Sequence, residues 1–170
     1  MREGIRLGVD VGTVRVGVAV SDPGGIMATP VETLARASAS DKDVQRVAEL
    51  ADDARALEVV VGLPLNMKGE DTASTQAARA WANTLKRLRP ALRVILVDER
   101  LTSVSAHQSL HASGVAGRKH RQHVDQQAAV LILQAALETE RGTGRPPGLE
   151  VGGRKPRARR RTSEGDTHDA

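Results

Sequence analysis

Residues 7–20 most limit what this chain can fold into. Leu7, Val9 and Val11 recur at every second position, Gly12-Thr13 interrupts, and Val14, Val16, Val18 and Val20 resume the alternation. Period two belongs to strands, and a glycine-bearing turn between two such runs predicts an antiparallel hairpin. Pro23-Gly24-Gly25 marks a further turn, and Ile26 to Leu34 supplies a third strand. Asp10 stands inside the first run, between Gly8 and Gly12. A carboxylate in an apolar strand is costly unless it is paired or binds a metal, which makes Asp10 a site candidate. The alternative is an ion pair with Arg15 or Arg100.

The pattern then changes to helix–strand alternation. Ser40 reads as an N-cap with Asp41 and Asp43 in the first turn, and Val47, Leu50, Ala51, Ala54 and Leu57 follow at helical spacing. Glu58 to Gly62 holds the short apolar run of a buried parallel strand. A loop through Asn66, Lys68 and Gly69 leads to a second helix with Ala73, Ala77, Ala80, Trp81, Leu85 and Leu88 on its apolar face, ended by Pro90. Arg93 to Val97 is another buried strand. Thr102 or Ser103 caps a third helix that stops at Gly114, and a last helix carries Val124, Ala128, Leu131, Ile132 and Ala135. This order predicts an α/β fold: a mixed five-stranded sheet with helices on both faces. The predicted folded domain is 1–140. From Arg141 on, Gly, Pro and Arg dominate, which predicts a disordered basic tail over 141–170.

Composition removes several classes of function. The 170-residue chain has no Cys, Tyr or Phe and a single Trp, so thiolate chemistry, disulfides and aromatic base-stacking platforms are excluded. No apolar run approaches the roughly 20 residues of a membrane span, and the first residues lack a secretion-signal pattern. The expectation is a cytoplasmic protein with no membrane partner. Residues 1–140 hold 17 basic and 17 acidic side chains, whereas 141–170 hold 8 and 4. The basic excess therefore belongs to the tail.

Chemistry in such a sheet gathers at the carboxyl ends of the parallel strands. Glu99 follows the Arg93–Val97 strand, with Asp98 as its competitor, since alternation turns one of the two away. Asp125 lies near the start of the last helix, where position alone favours the plainer reading, favourable placement on the helix dipole. Three carboxylates would make a hard-cation site for Mg²⁺ or Mn²⁺, and two such ions about 4 Å apart can hydrolyse a phosphodiester. His107 and His111 share a helix face without a third ligand and read as surface residues. His120 and His123, with Arg118, Lys119 and Arg121, form a basic cluster that either faces phosphate or is a solvated helix entrance.

Four segments then resemble one family. Leu7-Gly-Val-Asp-Val-Gly-Thr-Val-Arg-Val-Gly-Val-Ala-Val-Ser-Asp22 resembles the opening signature of the YqgF family, also called RuvX-like. Val60-Val-Gly-Leu-Pro-Leu-Asn-Met-Lys-Gly69, Asp98-Glu-Arg-Leu-Thr-Ser-Val-Ser-Ala106 and Asp125-Gln-Gln-Ala-Ala-Val-Leu-Ile-Leu133 follow in that family's order. The resemblance implies an RNase H-like fold and a nuclease of the type ascribed to pre-16S ribosomal RNA processing or to Holliday junction resolution. It implies that Asp10, Glu99 and Asp125 are the catalytic and metal-binding triad, selecting Glu99 over Asp98, with Arg15 and Arg100 near the site. Lys68, Arg118, Lys119 and Arg121 join Arg15 and Arg100 as the expected contacts to nucleic-acid phosphates.

The expected partner is structured nucleic acid, either pre-ribosomal RNA or branched DNA, bound by a monomer or a homodimer. Two other readings compete. Asp10-Val-Gly-Thr resembles the phosphate turn of actin-like ATPases and sugar kinases, but those enzymes enclose ATP between two such domains. A non-catalytic module in ribosome assembly or transcription is the other.

Overall fold

The computed structural model describes residues 1–102 and 118–152, the side chains of 118–125 excepted. The hairpin is present as β1 (Arg6–Val11) and β2 (Arg15–Ser21), paired antiparallel with Leu7 opposite Val20 and Asp10 opposite Gly17. The third strand, β3 (Ala28–Ala35), pairs antiparallel to β2. Then come α1 (Lys42–Ala54), β4 (Glu58–Leu63), α2 (Ala73–Leu88), β5 (Arg93–Asp98), a 3-10 turn over Glu99–Leu101 and α3 (Arg118–Thr143). The expected third helix, ending at Gly114, lies outside the described residues, as do His107 and His111.

β4 joins β1 in parallel and β5 joins β4 in parallel. A sixth strand, β6 (Leu149–Glu150), pairs antiparallel to β5, so the sheet order is β3-β2-β1-β4-β5-β6. The expected count of five strands is thereby corrected to six. The start of the tail moves as well: α3 runs on to Thr143, and Val151 is buried with its N–H donating to the Val94 carbonyl. Composition concealed this, because a two-residue strand has too few positions to show alternation. The remainder of the expected tail, 153–170, lies outside the described residues.

The sheet separates two apolar layers. On one face Leu7, Val9, Val16, Val18, Val59, Val61 and Leu96 pack against α1 and α2, through Val44, Val47, Trp81 and Leu85. On the other face Ala19, Val60, Ile95 and Val97 pack against Ala128, Ala129, Ile132, Leu133, Ala136 and Leu137 of α3. Helices on both faces are as expected. The α3 stripe is rotated from the expected one, with Ala129 and Leu133 at its centre and Ala135 and Leu131 at its margin.

The start of α1 also shifts. Asp41, not Ser40, precedes α1, in the left-handed region (φ 54°) and without a side-chain cap; the chain reaches it through a turn in which Ser40 and Asp41 both donate to the Ala37 carbonyl. Asp43 does stand in the first turn of α1 as expected, and it is also buried, its Oδ2 accepting from Trp81 Nε1 (3.1 Å) and facing Arg36 Nη1 (3.7 Å). α2 does carry a cap, a Thr72/Thr75 box, and Thr75 Oγ1 also donates to the Pro64 carbonyl just beyond β4. Among the described residues no helix is long and apolar enough to cross a membrane.

A two-carboxylate site at the ends of the parallel strands

Strand alternation decides which side chains meet. Gly8 and Asp10 of β1 fall on the face covered by α3, since Leu7, Val9 and Val11 occupy the other. On β5, Ile95 and Val97 face α3. Glu99 continues that parity into the 3-10 turn. Asp98 takes the other direction, where its carboxylate accepts from Arg100 N, Nε and Nη2 at 2.9, 3.0 and 2.6 Å. Of the two, Glu99 is the one that shares the α3 face with Asp10. Arg15 alternates with Gly17 and Ala19 of β2, so it stands on the Asp10 face and is half-buried.

Asp10 and Glu99 are each only 8% exposed. The Glu99 carboxyl is pushed up to about 8, first by burial and then by the negative charges of Asp10 and Asp98. Asp98 is held below the usual carboxylate range by the Arg100 guanidinium. The Asp10 charge therefore reaches the Glu99 carboxyl across a poorly solvated space and disfavours its ionisation.

β4 lies between the two carboxylate strands. Val9 pairs with Val61 and Gly62 with Val97, which puts Gly62 in the row between Asp10 and the Val97–Glu99 end of β5. Sequence reading took Gly62 only as the end of a strand. Its signal was an isolated glycine inside an apolar run, which marks a close approach.

The third expected carboxylate is placed by its backbone alone. Glu140 of α3 binds Arg2 and Arg6 at the start of β1, and Leu133 lies over Gly8, so α3 runs antiparallel to β1. Its opening turns therefore lie toward the Asp10 end of the sheet, and position 125 precedes Ala129 by one turn. The Asp125 side chain lies outside the described residues, as do those of Arg118, Lys119, His120, Arg121 and His123. Among the described residues no group of three or more His, Cys, Asp or Glu could hold a metal ion; the described pair is Asp10 and Glu99.

Lys68 is exposed on a tight turn in which Asn66 Oδ1 accepts from Lys68 N (3.0 Å) and Glu70 N (2.9 Å). Gly69 closes the turn at φ 79°, and the Arg100 guanidinium packs so near that a β-carbon there would meet Nη1 at 2.9 Å. The turn is thereby seated on the residue that follows Glu99.

The pair fits a hard cation. Oxygen is its only donor type, both carboxyl groups are buried on one sheet face, and the row between them carries no side chain. Burial of two repelling carboxylates is a net cost that such an ion would offset.

Comparison with known proteins bears on the fold and the family. The family model described as RuvX, Holliday junction resolvase, matches residues 4–139. A Clavibacter sepedonicus protein named "Putative pre-16S rRNA nuclease" is 54% identical over 153 residues, 89% of this chain and 93% of its own length. A protein of the same name from Kineococcus radiotolerans is 47% identical over 161 residues, 95% of this chain and 85% of its own. Among solved structures, T. thermophilus RuvC in complex with a Holliday junction substrate superposes with a TM-score of 0.52 at 16% identity, over 87% of this chain and 99% of that one. That likeness is one of fold, the RNase H-like arrangement expected from the motifs.

Proposed function

The chain belongs to the RuvX family of Holliday junction resolvases, and from that premise we propose that it is a Mg²⁺- or Mn²⁺-dependent endonuclease acting in the cytoplasm on pre-16S ribosomal RNA. The observation that carries the metal-dependent reading is the buried Asp10–Glu99 pair on one sheet face, with Glu99 pushed up to about 8 in part by Asp10. The substrate reading is supported by relatives at about half identity over most of both chains that carry a pre-16S ribosomal RNA nuclease name.

Asp10 and Glu99 would hold the ion, and Asp125 would complete the donor set from the opening turns of α3. A bound Mg²⁺ or Mn²⁺ supplies charge stabilisation on the phosphodiester and a more acidic water. Glu99 serves as a ligand in its carboxylate form, and its burial keeps competing water away from it. Asp98 accepts from Nε and Nη2 of Arg100 as well as from its backbone N–H, which leaves that guanidinium oriented beside the site. Arg15, Lys68 and Arg100, with Arg118, Lys119 and Arg121 on α3, would neutralise substrate phosphates. With no aromatic platform, recognition runs through backbone and shape.

Family membership also keeps a second substrate in play, a four-way DNA junction, because the matching family is described as a junction resolvase. Two nicks in a junction call for two sites related by a two-fold axis, so this reading goes with a homodimer. Pure protein incubated with Mn²⁺ and either a pre-16S transcript or a synthetic junction separates the two. Defined 5′ cleavage of the RNA with an intact junction is expected. Equal cutting by the Asp10→Asn variant would overturn the nuclease assignment.

A further inference from the structure

We propose that Gly62 is a positioning residue for Glu99: the bare backbone at this point of β4 is the seat over which the Glu99 carboxylate folds back toward Asp10. This rests on the metal-dependent reading above and deepens it. A β-carbon on Gly62 would lie 2.5 Å from Glu99 Oε1 and 3.2 Å from its Cδ. Real contacts do not come that close, so Glu99 occupies the volume in which any other residue would carry its side chain. The strand position explains the consequence. Gly62 pairs with Val97 of β5, and its other neighbour β1 brings Asp10 to the same row. A side chain at 62 would therefore take the place of the Glu99 carboxylate beside Asp10, where the two residues would hold a cation.

The second close contact separates positioning from packing. The same β-carbon would meet Ile132 Cδ1 of α3 at 2.5 Å. Both contacts are the far ends of flexible side chains, not backbone. Gly62→Ala can therefore fold, with Ile132 turning to another rotamer and Glu99 leaving its seat. Gly62 has no positive φ among the described glycines, so alanine brings no backbone strain, and space alone decides the outcome.

Three variants test this: Gly62→Ala, Ile132→Val, and the two combined. Ile132→Val removes the Cδ1 atom and relieves only the helix side of the clash. Gly62→Ala should weaken Mn²⁺ binding, measured by calorimetry, about 10- to 100-fold, the range seen when a residue that orients a ligand is lost. On RNA, kcat should fall by a comparable factor while KM stays within about twofold, because phosphate contacts are untouched. The combined variant should recover thermal stability and keep both losses. If trimming Ile132 restores Mn²⁺ affinity, Gly62 serves the packing of α3 and the proposal is overturned. A crystal structure of metal-free Gly62→Ala decides independently of function. Displacement of the Glu99 carboxylate from β4 supports the seat, and an undisplaced carboxylate overturns it. If the wild-type protein neither binds Mn²⁺ nor cuts RNA, the nuclease reading fails, while the crystal structure still settles where Gly62 holds Glu99.

Discussion

Asp10 is the residue whose chemistry the sequence constrains most tightly. A charge inside the Leu7–Val11 alternation calls for compensation, and Asp10 is buried on the α3 face of β1, within electrostatic reach of Glu99. Glu99 was only half legible. Alternation allowed either Asp98 or Glu99, because which parity faces the site depends on where α3 packs, and that is a long-range contact. The resemblance chose Glu99, and the burial of Ile95 and Val97 against α3 supplies the physical reason. Asp10→Asn keeps size and fold while removing one anionic ligand. Millimolar Mn²⁺ should raise the wild-type Tm by several degrees, as binding to the native state alone requires. It should leave the Tm of Asp10→Asn unchanged, and cleavage should drop at least about 100-fold. Differential scanning fluorimetry with and without Mn²⁺, beside a gel assay, checks both. An equal Mn²⁺ shift in the two proteins would remove Asp10 from the ligand set.

At the scale of elements, β1, β2, α1 and α2 were legible from their periods and β4 and β5 from their short apolar runs, whereas β6 was not. The boundaries were less so. Val14 continues the alternation of β2 on paper yet is exposed in the turn, since the Gly12 N–H donates to the Arg15 carbonyl and closes the hairpin before it. The depth of α3 depends on Gly8, which no periodicity could mark. A β-carbon on Gly8 would lie 2.6 Å from Leu133 Cβ and 2.9 Å from the Ala129 carbonyl oxygen. Those atoms belong to or adjoin the helix backbone and cannot rotate away. Gly8→Ala must lift α3 off the sheet, two residues from Asp10 and one turn from position 125. Overpacking of this kind costs about 1–3 kcal/mol, which urea unfolding reads directly. Activity should fall more steeply than stability, because the helix that carries Asp125 moves as a body. A variant with wild-type stability would show that α3 does not rest on Gly8.

Over the whole molecule, the end of the sheet remote from the site is held by charge. Glu140 near the end of α3 accepts from Arg2 Nε at 2.8 Å and from Arg6 Nη2 at 3.2 Å. Glu58 of β4 pairs with Arg2 at 2.9 Å and with Arg93 of β5 at 3.1 Å, and Arg93 reaches Glu150 of β6 at 2.6 Å. The network ties the chain's first residues, three parallel strands, α3 and the added strand β6 into one unit. Sequence reading placed Glu140 at the last position of the domain and Glu150 in the tail, so a cluster assembled from residues 2 to 150 was out of its reach. Arg2 above all holds the Glu140 carboxyl down to about 2. A group whose folded value is depressed adds stability above its unfolded value, near 4.5, and loses it as pH falls from there to about 2. The depression corresponds to at most about 3 kcal/mol, because Glu140 is 2% exposed although Arg2 is partly open to solvent. Glu140→Gln should therefore be less stable by up to about that amount at pH 7, with Arg6 left buried beside a neutral partner. The gap to wild type should close as pH falls through the window and vanish near pH 2. Urea unfolding of both proteins at pH 7, 4.5, 3 and 2 measures the gap, and a difference that stays constant with pH would show that Glu140 contributes by packing and not by charge.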